Sequence, residues 1–193
     1  MSTHTAERGS QGGVWTLDAA HTTVGFSAKH MMFTTVRGRF NDVSGELYID
    51  PARPEESRLD VRIASASIHT GVEQRDAHLR STDFLDAERW PQIEFRSRRV
   101  EGEIRQGGSL ALTGDLTIRG VTREVTLNVR YDGKGRDPWG FERMGFTALG
   151  SIDRREFGLT WNQMLEAGGV LVSNEVKIEI EVQLKESAER QAA

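Results

Sequence analysis

The sequence predicts an all-β fold, an antiparallel β-barrel of about eight strands with one or two short helices. Three observations predict it: apolar and polar residues alternate along most of the chain, glycine (20) far outnumbers proline (4), and several glycines fall inside the alternating runs. Alternation on one side is typical of antiparallel strands with one face on a core. Many such strands stack as a sandwich or close as a barrel.

Eight alternating runs are the candidate strands. In chain order they cover residues 24–30, 36–40, 59–63, 93–95, 110–118, 125–131, 146–152 and 176–184. Gly38, Gly114 and Gly150 lie on the apolar faces of three runs. Because glycine inside a strand often marks a bend or a close approach, these positions favour a curled, closed sheet over a flat one.

Two segments break the alternation. Thr70 and Glu73 have the spacing of a capping box, with Thr70 as the N-cap, and residues 74–81 then carry helix formers. We predict one or two short helices between Thr70 and Arg89. A second irregular segment spans residues 157–169, and we expect both segments to close or line the barrel.

The chain length of 193 residues corresponds to a single domain, which we place at residues 14–185. Residues 1–13 are polar and glycine-rich, so we expect a disordered N-terminal tail there, and residues 186–193 should form a C-terminal tail. The first residues lack the apolar stretch that a signal peptide needs. We therefore expect a cytoplasmic protein.

The composition excludes several classes of function. The absence of cysteine excludes a disulfide scaffold, a cysteine-ligated metal site and a cysteine nucleophile. The net charge is −4, and the 25 basic residues form no basic stripe, which argues against nucleic-acid binding. His21 and His30 are nine residues apart, as are His69 and His78. Neither spacing is typical of metal ligands, so we expect no metal site.

One charged cluster is the strongest candidate for catalysis, because carboxylates beside a histidine suit acid–base chemistry. Its members are Glu73, Arg75, Asp76, His78 and Asp83. The same spacing is typical of a solvated helix with ion pairs three and four residues apart. We favour this structural interpretation and expect no catalytic residue.

Aromatic and methionine residues cluster in three parts of the chain, and they suit either a packed core or a cavity lining. An eight-stranded barrel is about the size that either fills with side chains or holds one small ligand. His30 shares the inward parity of Phe26, so it should need a polar partner from the protein or the ligand. The residues that we expect to contact a ligand are Phe26, His30, Met32, Phe40, Phe84, Leu85, Trp90, Phe95, Phe146, Trp161 and Met164.

The order and spacing of several short motifs resemble those of the YceI-like family, which is also called polyisoprenoid-binding or lipocalin-like. The motifs are Trp15-Thr-Leu-Asp-Ala-Ala-His21, Lys29-His-Met31, Ser67-Ile-x-Thr70, Arg75-Asp-x-His-Leu79, Asp83-Phe-Leu85, Pro91-x-Ile-x-Phe95, Gly114-x-Leu-Thr-Ile-x-Gly-Val-Thr122, Arg154-x-x-Phe-Gly158 and Val172-Ser-Asn-Glu-Val176. Together they cover residues 15–184.

The resemblance implies an extended lipocalin-like barrel with a hydrophobic pore, which binds a long-chain isoprenoid or similar amphiphile as a carrier or storage protein. It implies no enzymatic activity and no cofactor. It also implies a homodimer, and a carrier of this kind would contact membranes transiently. A polar head would meet His30 or the segment from Arg75 to His78.

Two alternatives stay open at this point. In the first, the protein is an enzyme that acts on a bound amphiphile through Arg75, Asp76 and His78. In the second, side chains fill the barrel, and the protein serves as an interaction or stress protein. Arg75→Ala and Asp76→Asn separate the first alternative from a structural helix, because an enzyme should lose turnover with its fold intact, whereas a structural helix should lose melting temperature. A filled barrel would copurify with no lipid and contain no apolar cavity.

Overall fold

The computed structural model describes residues 12–166 and 168–187. Most of the two predicted tails, residues 1–13 and 186–193, lies outside the described residues. Gly13 and Glu186 are the outer residues of the first and last strands.

The described residues form eleven strands and one α-helix. The strands are β1 (Gly13–Leu17), β2 (Thr23–His30), β3 (Thr34–Phe40), β4 (Val43–Ile49), β5 (Arg58–Ala64), β6 (Ile68–His69), β7 (Gln92–Gly102), β8 (Ser109–Ile118), β9 (Val121–Arg136), β10 (Glu142–Asp153) and β11 (Val172–Glu186). The helix α1 spans Glu73–Arg80, and short 3₁₀ turns span Ala19–His21, Pro54–Glu56, Ser65–Ser67 and Arg154–Phe157.

Eight strands close into an antiparallel barrel, which confirms the predicted fold class. Their order around the barrel is β1-β4-β5-β7-β8-β9-β10-β11, and β11 pairs back onto β1 with Leu184 opposite Leu17. The long strand β11 has a second partner, because residues 172–181 pair with β2. Beyond β2, the sheet continues through β3 to β6. The C-terminal part of β11 therefore closes the barrel by pairing with β1. The rest of β11 pairs with β2, and β2 and β3 extend the sheet at that end of the barrel.

The eight predicted runs are not the same as the eight strands of the closed barrel. The runs correspond to β2, β3, β5 and β7 to β11, whereas β1 and β4 were not predicted. β1 has five residues and adjoins a glycine-rich stretch, so its alternation is too short to stand out. In β4, Gly45 falls on the apolar face and Tyr48 on the outer face, which weakens the pattern.

Two clusters of buried apolar side chains divide the interior of the barrel. The larger cluster occupies the middle and the end that β2 and β3 extend. The smaller cluster fills the opposite end, where β1 closes the barrel, and it consists of Trp15, Leu47, Ile49, Met144 and Leu184. This second cluster forms a plug at one end of the barrel.

Two of the inward glycines provide room for aromatic rings. A β-carbon on Gly114 would lie 2.5 Å from a ring carbon of Phe95 and equally close to the Arg96 carbonyl oxygen. A β-carbon on Gly38 would collide with the ring of Phe26. The close approaches expected from the sequence are therefore contacts with interior phenylalanines.

The helix α1 forms as predicted, but the prediction of a capping box at Thr70 and Glu73 is wrong. Val72 is the N-cap, with no side-chain cap hydrogen bond, and the Thr70 hydroxyl donates to Asp76 Oδ1 at 2.5 Å. The Thr70 hydroxyl thus binds the buried Asp76 carboxylate and does not cap the helix, as the capping-box spacing had predicted. Within residues 12–166 and 168–187, no helix is both long enough and apolar enough to cross a membrane.

Candidate ligand-binding cavity

A cavity of about 310 Å³ lies inside the barrel. Every one of the eleven strands contributes a side chain or backbone to its lining, and so do α1 and the segment that follows it. The volume falls at the lower end of the roughly 300–1,000 Å³ that is usual for small-molecule sites. The barrel is therefore not filled by its own side chains.

The cavity is elongated along the strands. β11 lines it with residues spread over almost the whole strand, namely Val172, Val176, Ile178, Ile180, Val182 and Leu184. At a rise of about 3.3 Å per residue, this stretch is about 40 Å long. The space suits a long, narrow molecule better than a compact one.

Several apolar side chains inside the barrel are only half-buried, because they face this space. They include Phe26, Phe40, Phe146, Ile178 and Ile180, which pack against the core with one side. The rings of Phe26 and Phe40 lie 5.7 Å apart, with their planes tilted by 47°. An apolar ligand could cover this exposed area without displacing the packed core.

The end opposite the plug is covered by α1 and the segment after it. The Leu85 N–H donates to the Leu79 carbonyl at 3.0 Å, which folds the segment back onto the helix. Phe84 and Leu85 are buried there and line the cavity. Trp161 packs against the ring of Phe84, with centroids 5.3 Å apart.

The three side chains of the catalytic alternative do not converge on the cavity. The Arg75 Nε donates to the Thr70 hydroxyl at 2.7 Å. His78 faces Asp83, with 2.8 Å between Nε2 and Oδ2, and its ring meets Trp161 edge-on. Arg75, Asp76 and His78 are all missing from the residues that line the cavity in the described chain.

Asp76 is a structural carboxylate at the base of α1. It is 1% exposed, and its Oδ1 accepts hydrogen bonds from the Thr70 N–H and hydroxyl. Burial by itself would raise the pKa of Asp76. The Thr70 hydrogen bonds and the charges of His69 and Arg80 outweigh burial and lower this pKa below its ordinary value. The group is therefore ionised at neutral pH.

The second oxygen of Asp76 is less well satisfied. Oδ2 lies 3.2 Å from Nδ1 of the half-exposed His69, but no described group forms a hydrogen bond of good geometry with it. Across residues 12–166 and 168–187, no three histidine or acidic side chains lie close enough together to hold a metal ion.

Arg154 is the one charged side chain among the described residues that line the cavity. It begins the 3₁₀ turn after β10 and is 4% exposed. Its guanidinium donates to the carbonyl oxygens of Leu159 at 2.5 Å, Trp161 at 2.9 Å and Ser173 at 2.9 Å. Burial lowers the pKa of this guanidinium. The other polar lining side chains are the hydroxyls of Thr22 and Ser57.

Six of the eleven predicted ligand contacts line the cavity: Phe26, Phe40, Phe84, Leu85, Phe95 and Phe146. The structure places the other five outside the lining. Met32 and Met164 are 57% and 78% exposed, because both lie at turns beyond the barrel wall. His30 is at the last position of β2, where the inward parity ends.

The remaining two tryptophans of this set pack on the outside of the cavity wall. Trp90 lies so close to Gly120, in the turn between β8 and β9, that a β-carbon there would collide with its ring. Trp161 is on the far side of Phe84 and borders His78. Ligand contact by these two tryptophans, His30 and the two methionines stays a prediction.

Sequence reasoning missed Arg154 and most of the aliphatic lining. The signal for Arg154 was present, because it continues the even-numbered inward series of Phe146, Ala148, Gly150 and Ile152 by one step. A charged residue at the end of an inward apolar series is unusual, because arginine is rarely buried.

Known proteins are similar to this chain in sequence and in fold. The model of the YceI-like domain matches residues 15–184. The YceI protein of Escherichia coli is 38% identical over 142 residues, which cover 74% of this chain and 73% of that protein. The crystal structure of the Campylobacter jejuni YCEI protein has a TM-score of 0.69 at 33% identity, over 97% of this chain and 99% of that one.

A more distant structure shares the fold. It is a polyisoprenoid binding domain from Saccharophagus degradans, with a TM-score of 0.64 at 15% identity, over 90% of this chain and 98% of that domain. The family match runs from β1 to β11 and includes every strand that lines the cavity. The chain therefore belongs to the YceI-like family.

Proposed function

We propose that the protein binds a long-chain isoprenoid or a similar amphiphilic lipid inside the barrel, as a carrier or storage protein. The observation that carries this proposal is the elongated apolar cavity with half-buried side chains along it. The Saccharophagus domain, which is described as polyisoprenoid-binding, has the same fold.

Hydrophobic burial is large enough to hold such a ligand. One buried methylene contributes about 0.8 kcal/mol, so about twenty contribute roughly 16 kcal/mol before costs. The ligand's hydrocarbon chain must become ordered and lose its translational freedom, and these costs offset much of this sum. Because an apolar pocket discriminates weakly for each methylene, selectivity would come from chain length and from polar groups at the ends of the cavity.

The proposal assigns the ligand contacts to the phenylalanines that line the cavity, together with Leu85 and the aliphatic residues of β11. Phe26, Phe40, Phe84, Phe95 and Phe146 come from different strands or from the covering segment. A chain along the barrel axis would therefore touch rings on several sides.

We also propose that the protein is not an enzyme. Arg75, Asp76 and His78 each bind a different protein group, and none lines the cavity in the described chain. The filled barrel, the other alternative, has no support from a structure with an open apolar space of about 310 Å³.

Transient membrane contact is part of the proposal, and two exposed apolar tips support it. Met31, Met32 and Phe33 form the turn between β2 and β3, and Met164 lies on a neighbouring turn. The Met31 N–H donates to the Leu171 carbonyl at 2.8 Å, and this joins the two turns. Both tips lie where β11 begins, at the end of the barrel opposite the plug, so they suit insertion into the headgroup region of a bilayer.

Native mass spectrometry of freshly purified protein, followed by organic extraction, tests the main proposal. We expect a discrete added mass that extraction identifies as a polyprenyl chain or another long amphiphile. A ligand-free protein that also fails to bind added isoprenoids would overturn the carrier proposal. The same spectrum measures the expected homodimer, and cell fractionation checks the expected cytoplasmic location.

A further inference from the structure

We propose that the hairpin of β2 and β3 docks the protein on an anionic lipid surface, so that its transient membrane contact is directed to bilayers with negatively charged headgroups. This inference rests on the proposed function, because it names the kind of surface that the exposed tip of the hairpin would meet. The features that point to it are an apolar tip and a set of basic side chains behind the tip.

The hairpin is basic in a protein that is acidic overall. Residues 22–40 contain Lys29, Arg37 and Arg39 and no aspartate or glutamate, whereas the whole chain has a net charge of −4. Charge of one sign that is gathered on one segment produces a local potential, which the net charge of the protein does not describe. This segment would therefore be attracted to an anionic surface.

The three cations are not paired with carboxylates anywhere in the described part of the chain. Lys29 Nζ donates to the Thr35 hydroxyl at 2.8 Å, and Arg39 Nε donates to Asn41 Oδ1 at 2.9 Å. Both acceptors are neutral groups. By contrast, the exposed Arg98 of β7 is paired with two carboxylates. The positive charge of the hairpin is therefore available to an external anion.

The basic side chains share one face of the hairpin. Residues directly opposite each other in a ladder point to the same side, and so do alternate residues of a strand. Lys29 lies opposite Thr35, which is two residues before Arg37. Lys29, Arg37 and Arg39 are therefore on the same side, and Phe40, on the other side, lines the cavity. The cations thus face outward from the barrel.

The spacing along the hairpin suits a bilayer surface. Met32 and Phe33 are 57% and 71% exposed at the tip. Lys29 is three residues before Met32, and Arg37 is four residues after Phe33. At about 3.3 Å per residue, Arg37 lies about 13 Å behind the tip. A tip buried by about 5–10 Å would bring the long side chains of both cations to the lipid phosphates.

Neighbouring segments at the same end of the barrel carry the opposite charge. Glu166 lies two residues from the exposed Met164. Four further carboxylates border one polar groove on β9 to β11 and the 3₁₀ turn after β10, namely Glu124, Asp153, Glu156 and Glu175. An anionic surface would repel these groups while it attracts the hairpin. The protein would therefore dock obliquely, with the hairpin closest to the bilayer.

Co-sedimentation with phosphatidylcholine vesicles, with and without phosphatidylglycerol, tests the inference. We expect the protein to bind the anionic vesicles about tenfold or more tightly, because each basic residue near an anionic surface strengthens binding by about fivefold. The preference should fade as salt is added, since the Debye length shortens from about 10 Å at 0.1 M to about 3 Å at 1 M. Equal binding of the two kinds of vesicle would overturn the inference.

Two double variants with the same change in net charge locate the preference. Lys29→Gln with Arg37→Gln should bring the two affinities to within about threefold, because it removes the two cations nearest the tip. Arg98→Gln with Arg99→Gln removes two arginines of β7 that are 59% and 57% exposed and should keep the parent preference. Circular dichroism checks that both variants fold, and if the hairpin variant does not, the salt series of the parent protein decides. A hairpin variant that folds and keeps the full preference contradicts docking through this hairpin.

Failure of this inference can be told apart from failure of the carrier proposal. A protein that copurifies with a lipid but binds neither kind of vesicle would overturn docking on a membrane and leave the carrier proposal standing. A protein that prefers anionic vesicles but never holds a lipid in native mass spectra would support docking and overturn the carrier proposal.

Discussion

At the scale of single residues, two of the buried charged side chains in the described part of the chain, Asp76 and Arg154, have different surroundings. Asp76 accepts hydrogen bonds from the Thr70 N–H and hydroxyl, and the side chains of His69 and Arg80 lie near it. Arg154 is surrounded by carbonyls and borders an apolar space. The first environment pairs a charge with hydrogen-bond donors and cationic charge, whereas the second holds a charge with backbone carbonyls alone.

Asp76→Asn should destabilise the protein at neutral pH by about 2 kcal/mol, because it removes the charge that accepts the Thr70 hydrogen bonds. For a chain of this size, the melting temperature should fall by about 4–8 °C. The folded-state pKa of Asp76 is lowered. Its stabilisation is therefore fully present above the unfolded value of about 3.9 and is lost as the pH falls through the folded value.

Urea unfolding at pH 7 and pH 3 measures this difference. The gap between the parent protein and Asp76→Asn should be largest at pH 7 and smaller at pH 3. Glu73→Gln, on the exposed side of the same helix, should unfold like the parent at both pH values. An equal gap at both pH values would contradict an ionised Asp76 as the source of stability.

Phe146→Trp should shorten the longest ligand that the barrel accepts. The side chain of Phe146 faces the cavity, so the larger ring would occupy space along the path of the tail. Native mass spectrometry with prenols of increasing length measures the limit. Leu149→Trp is the matched control, because Leu149 lies on the same strand but is 49% exposed on the outer face. An unchanged limit in Phe146→Trp would show that the inward ring does not contact the ligand.

At the scale of elements, the hairpin of β2 and β3 combines backbone strain with exposed apolar side chains. Met31 and Met32 adopt φ values of 50° and 68°, in the left-handed region that favours glycine and asparagine. A hairpin selected for stability alone would carry Asn-Gly at these positions. Methionines at these strained positions are consistent with a role for this turn outside the folded core.

Replacing Met31 with Asn and Met32 with Gly should raise stability by about 1 kcal/mol, because both residues tolerate this backbone. The melting temperature should rise by about 2–4 °C. Under the membrane proposal, co-sedimentation with phospholipid vesicles should fall at the same time. Trp139→Ser removes another exposed side chain at a distant turn and should leave vesicle binding unchanged. Unaltered vesicle binding in the hairpin variant would refute contact through this turn.

At the scale of the whole molecule, closure of the barrel makes the cavity possible. The wall is a single sheet that returns on itself where β11 pairs with β1. The plug around Trp15 occupies one end, and α1 with its following segment covers the other. An apolar ligand would therefore complete a core that the protein leaves unfilled.

Ligand removal should lower the stability of the whole barrel. A ligand present at about one hundred times its dissociation constant adds about 2.7 kcal/mol. For a chain of this length, that corresponds to a rise of about 5–10 °C in melting temperature. Calorimetry of delipidated protein with and without added lipid measures the shift. A bound lipid that leaves the melting temperature unchanged would argue that it adheres outside the fold.

The sequence allowed the fold class to be predicted, along with six of the cavity-lining positions. The period-two pattern identifies the inward face of a strand, which is how Phe26, Phe95 and Phe146 were found. It does not identify a turn that projects beyond the wall, so Met32 and Met164 were grouped with the lining although they are exposed. Short or glycine-containing strands, such as β1 and β4, carry too little pattern to be read individually.

Alternation and interior glycines are local properties of the chain, so the amino-acid sequence is enough to predict strands with one apolar face that close into a barrel. The open interior could not be predicted in this way, since the space between opposing walls depends on how far apart the fold holds them. The tertiary structure also decided that Arg154 lines this space while Asp76 turns away from it. Both side chains are charged, and the folded positions of their neighbours set their surroundings: backbone carbonyls for Arg154 and the Thr70 donors for Asp76.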